Sequence, residues 1–123
     1  MNITTPDDRK AFSGYLREWQ VKLGLGTWRI TLSPKPAKNC LAQVYEFDRE
    51  QRQARVKLGE RWFATPVTPG TLEQTAVHEL LHILLYELIE AAKNPHISQE
   101  DLANAEHAVV NALEKALVHC ADE

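Results

Sequence analysis

The alternation of apolar and polar positions predicts the order helix, small sheet, helix, helix. Phe12, Tyr15, Leu16, Trp19 and Leu23 recur at helical spacing and predict a first helix from about Pro6 to Leu23. Thr5 can cap it, Pro6 suits the first helical position, and Asp7 and Asp8 sit where the helix end is positive. Gly24 supplies the left-handed cap that ends it. The period then falls to two. Trp28 to Leu32 alternates and stops at Ser33-Pro34-Lys35-Pro36. Leu41 to Phe47 is a second strand, and Asp48-Arg49-Glu50-Gln51 makes a polar turn. Ala54, Val56 and Leu58 alternate with Arg55 and Lys57 in a third strand, expected to pair with the second as an antiparallel hairpin. The result is a small, mostly antiparallel three-stranded sheet with one polar face.

After Trp62-Phe63 the stretch Ala64–Gly70 reads as a loop, and a helix follows from about Leu72 to Ala92. Thr71 and Gln74 have capping-box spacing. Val77, Leu80, Leu81, Ile83, Leu84, Leu85, Leu88 and Ile89 leave almost no polar face, so this helix is expected to be covered on nearly all sides. Asn94-Pro95 ends it, and a last helix runs from near Ser98, with Asp101 in capping position, to about His119. The fold class is α+β.

Composition narrows the possibilities. A chain of 123 residues is one domain, 1–123, too short for a doubly wound dinucleotide fold or a barrel. Hydrophobic residues at 44% and charged residues at 25% suit a packed domain rather than a disordered one. The net charge of -3 argues against nucleic acid as a partner. Arg49, Arg52, Arg55, Lys57 and Arg61 cluster on the hairpin, but Glu46, Glu50 and Glu60 dilute their field, as on a solvated strand face. Polar residues and acids at Met1–Asp8 give no export signal, and His78, Glu79, His82 and Glu87 interrupt the most apolar stretch. The expectation is a cytoplasmic protein without a membrane span, with Cys40 and Cys120 as reduced thiols.

The chemistry concentrates in His78-Glu79-Leu80-Leu81-His82. In a helix, residues four apart lie about 40° apart on one face, so both imidazoles can point at one cation. Zinc accepts such nitrogens at about 2.0–2.1 Å. Glu79 sits about 100° round from His78, where it can reach a water on that ion and act as a base. Two histidines and a glutamate buried within five residues would be costly without such a purpose. A catalytic zinc needs a third protein ligand, and His96, Glu106, His107 and His119 are the candidates. On the last helix Leu102, Val109, Val110, Leu113 and Leu117 all fall within about 60° of Glu106. Glu106 is thus expected at the centre of the apolar stripe, as the third ligand, while His107 lies on its flank. His96 sits beside Pro95 in a loop, and His119 near the end of the chain.

This motif, followed by a glutamate on a later helix, resembles the gluzincin branch of zinc metallopeptidases. Its pairing with Glu106-His107-Ala108-Val109-Val110-Asn111-Ala112-Leu113 resembles small zincin-like peptidases of phages and prophages. The resemblance implies a minimal zincin-like core and a zinc-dependent peptidase acting on a peptide or protein. It gives Zn2+ held by His78, His82 and Glu106, with Glu79 as the base, and an edge strand that binds extended substrate. In the thermolysin-like pattern an Asn precedes the ligand Glu and an Asp follows four residues later; here those positions are Ala105 and Val110. That departure and the small size favour an alternative, a catalytically weak or inactive zinc-binding module that acts in protein–protein interaction. Tyr86, one turn beyond His82, and Tyr45 are expected to pack, as are Trp19, Trp28, Trp62 and Phe63.

Overall fold

A computed structural model describes residues 2–119. Helix α1 spans Pro6–Lys22, with Thr5 and Asp8 exchanging the two hydrogen bonds of a capping box: the Asp8 N–H donates to Thr5 Oγ1 at 3.1 Å and the Thr5 N–H to Asp8 Oδ2 at 2.9 Å. Gly24, at φ 71°, takes the left-handed turn that follows the helix. Strands β2 (Arg29–Leu32), β3 (Ala42–Asp48) and β4 (Gln53–Leu58) lie within a few residues of their expected positions. A short β1 (Asn2–Ile3) pairs with β5 (Arg61–Phe63), two strands the periodicity did not reveal because neither is long enough to alternate.

The three-stranded sheet has the order β2-β4-β3. β3 and β4 form the expected antiparallel hairpin, but β2 runs parallel to β4, so the sheet is mixed rather than mostly antiparallel. The hairpin turns β4 back beside β2, which leaves β3 on the outer edge. In the centre Ala54, Val56 and Leu58 are buried while Arg55 points out, as the alternation requires. Past Tyr45 the register slips, and Glu46 adopts φ 54° in the bulge.

Helix α2 (Pro69–Lys93) starts earlier than expected. Thr68, not Thr71, is its N-cap; the Thr71 hydroxyl completes the box by accepting from the Thr68 N–H at 2.9 Å, and Pro69 takes the first helical position. Its buried residues are Leu72, Thr75, Ala76, Glu79, Leu80 and Ile83, whereas His78, His82 and Ile89 are exposed. The helix is therefore covered by α1, by β3 and by α3 (Gln99–His119) but open along one stripe, a correction to the expectation of cover on nearly all sides. Phe12 and Leu16 of α1, Val56 and Leu58 of β4, Trp62 and the inner face of α2 form one core. The Trp19 indole N–H donates to Glu73 at 2.9 Å and ties α1 to α2. No helix among the described residues is long and apolar enough to cross a membrane.

The α3 helix is rotated relative to its expected setting. Val109 and Ala116 are buried, with Leu102, Ala105, Ala112 and Leu113 half-buried beside them, whereas Val110 and Leu117 are 49% and 72% exposed. The contact stripe thus runs through Ala105, Val109, Ala112 and Ala116. Glu106 lies about 60° from Val109 and is exposed, so the expectation of a buried carboxylate at the centre of the stripe is corrected.

Gly59, between β4 and β5, packs its backbone against the carbonyls of Cys40 and Leu41, where a Cβ would overlap both. Gly59→Ala should destabilise the fold by about 1–3 kcal/mol, the range for forcing extra atoms into a packed site. Thermal and denaturant unfolding beside the wild type check this, with Gly26→Ala, where a Cβ meets nothing within 4 Å, as the control.

Candidate metal centre

The exposed stripe of α2 carries the chemistry. His78 and His82 stand one turn apart with ring centroids 5.0 Å apart and planes crossing at 78°. A ligand atom from each of His78, Glu79 and His82 lies within 4.8 Å of the others. Side-chain rotation alone can bring the two imidazoles to the bonds of about 2.0–2.1 Å that zinc accepts. Exposed imidazole nitrogens on one helix face suit a divalent cation, and the cluster could hold a metal ion.

Glu79 differs from its neighbours. It is only 5% exposed, on the side of α2 that meets β3. Burial pushes its carboxyl above the ordinary range, while His82, His78 and the Val44 backbone N–H, which donates to it, pull the other way without cancelling the burial. A raised carboxyl beside two candidate ligands marks Glu79 as a candidate functional group.

Two cavities meet at this cluster. One, of about 600 Å³, runs between α2 and the outer edge of β3, past Val44, Phe47, His82 and Tyr86. The other, of about 400 Å³, lies on the far side of Glu79, with Cys40, Ala42 and Thr75 in its wall. Tyr86 stacks on Phe47 with centroids 4.5 Å apart and planes at 8°, and meets Trp28 edge-on, so its ring packs as expected while also lining the groove.

The other candidates are spread out. Glu106 and His107 are exposed on α3, and neither joins the His78–Glu79–His82 group among the described residues. His96 is exposed in the loop after α2, its N–H donating to Asn94 Oδ1 at 2.9 Å. The side chain of His119, like Cys120, lies outside the described residues. Cys40 is a free thiol, half-buried, pushed up by burial and then by the Glu79 carboxylate. Neither Cys40 nor the Val44 N–H stood out in the sequence, because only the pairing of β3 with β4 and its packing on α2 bring them to the motif. On the hairpin, Arg55 pairs with Glu46 at 3.4 Å, and Arg52 reaches Glu87 of α2 at 3.4 Å.

The raised Glu79 sets a pH dependence for the metal-free protein. A folded pKa above the unfolded value means that burial costs nothing while the carboxyl is neutral and weakens the fold as pH rises through the folded value. In chelator, Glu79→Gln should therefore unfold at a higher temperature than wild type at neutral pH, and the gap should close below the ordinary carboxylate range, near pH 4. An unchanged gap across that range in thermal scans would count against the burial argument. Comparison with protein-family models, curated proteins and solved structures gives no match for this chain, so its candidate centre stands on the geometry of His78, Glu79 and His82.

Proposed function

We propose that the chain is a metal-dependent peptidase that uses zinc, with His78 and His82 as ligands and Glu79 as the general base. The observation that carries this reading is the meeting of three features: two candidate imidazole ligands, a buried carboxyl between them, and a groove bordered by the open edge of β3. A bound zinc ion supplies Lewis acidity, which makes water and a peptide carbonyl more reactive.

The protein's own groups do the rest. Among the described residues no strand pairs with the outer edge of β3, and its backbone groups other than the Val44 N–H, which Glu79 takes, would receive an extended peptide along the groove as an added strand. Glu79 takes a proton from the attacking water at its carboxylate and delivers it to the amine that leaves. The Val44 N–H holds that carboxylate in place. Phe47 and Tyr86 form an apolar wall that limits bulk water on one side of the site. A catalytic zinc takes three protein donors. Glu106 would supply the third only by reaching in from the exposed flank of α3.

That exposure favours the second reading, a zinc-binding module without turnover, and one experiment separates the two. Wild type should hydrolyse casein or a peptide library and lose this in chelator. Glu79→Gln should keep its metal and fall by at least the roughly 10²–10⁴-fold typical of a lost general base. His78→Ala and His82→Ala should lose metal and activity together. Stoichiometric zinc without any hydrolysis would select the binding module.

A further inference from the structure

We propose that Cys40 is the third protein ligand, a thiolate that reaches the ion from the strand side of the groove; this rests on the metal-centre reading above. Cys40 lines both cavities that meet at the motif, together with His78 and Glu79 in each. Among the described residues outside the motif, no other His, Cys, Asp or Glu borders both.

The fold also fixes where this residue sits. The Leu41 carbonyl accepts the Gly59 N–H at 2.7 Å and the Trp62 indole N–H at 3.1 Å, which anchors the segment immediately after Cys40. Gly59 packs against the Cys40 carbonyl itself, a contact that only glycine permits. Asn39, just before it, holds φ 61°, a left-handed setting that Asn tolerates better than most residues. The backbone is thus held at the groove wall. Sγ stands outside the 4.8 Å group of His78, Glu79 and His82, and a change of χ1 swings it by up to about 3 Å. Sulfur also bonds zinc at a longer distance, about 2.3 Å, than nitrogen does. Two imidazoles and one thiolate make a donor set that zinc accepts in catalytic sites with a fourth position open. Glu106, by contrast, stands exposed on a helix that packs on a different stripe of α2.

Cobalt substitution tests the assignment without any substrate. The reference protein is Cys120→Ser, so that Cys40 is the single sulfur source besides methionine. Loaded with one equivalent of Co2+, it should show a thiolate-to-cobalt charge-transfer band in the near ultraviolet. Cys40→Ser in the same background should lose the band and bind zinc more weakly, by at least the roughly 10–100-fold that even an outer partner of a ligand contributes. Glu106→Ala should keep both the band and the affinity. Cobalt bound at His78 and His82 with no charge-transfer band overturns the inference and leaves the metal centre standing; a matching loss of affinity in Glu106→Ala would return the third position to the carboxylate. A protein that takes up neither ion overturns the metal reading and this inference with it.

Discussion

The burial of one carboxyl group organises this molecule. Glu79 is enclosed where α2 meets β3, and taking a carboxylate out of water costs several kcal/mol unless something compensates. The compensation is local: an N–H from Val44 and the imidazoles of His78 and His82 on the same helix. None of these alone suffices, since burial still dominates and the carboxyl stays raised. A cation beside the imidazoles would favour the charged form of this carboxyl.

The same helix also serves as core element and site wall, and the two roles divide by face. Leu72, Ala76, Leu80 and Ile83 bury against α1 and the sheet, which fixes the rotation of α2. With that rotation set, His78, His82 and Tyr86 project into the groove as a consequence of helical spacing. The sheet completes the arrangement by its order. Because β4 lies in the centre, β3 is left as an edge, and its outer side runs along the row of histidines. Only an order with β3 in the centre would pair both of its edges. The strand-side segment Asn39–Leu41 is pinned by Gly59 and Trp62, so the opposite wall is as fixed as the helix.

Much of the architecture was legible in the sequence. The Thr5 cap, the turn at Gly24, the alternation Ala54-Val56-Leu58 and the stop at Asn94-Pro95 act over a few residues, so local chemistry decides them. The His78-Glu79-His82 cluster was legible for the same reason: its geometry is that of one helical turn and needs no other part of the chain.

What the sequence left open depends on contacts between distant segments. Whether β2 would run parallel to β4 turned on the path of the chain across the sheet, which no strand records in its own pattern. The rotation of α3 turned on its docking against α2: the helix packs through Ala105, Val109, Ala112 and Ala116, and the stripe of larger residues around Glu106 is left partly in solvent. Summed hydrophobicity points to the larger residues, whereas the face that docks is set by how two helix surfaces fit. The environment of Cys40 came from the register of β3 on β4 and the docking of both on α2. The sequence by itself determined the elements and the motif, because both are set within a turn or two of chain. Tertiary structure alone decided which side chains share the motif's groove, because burial and close approach are properties of surfaces that meet.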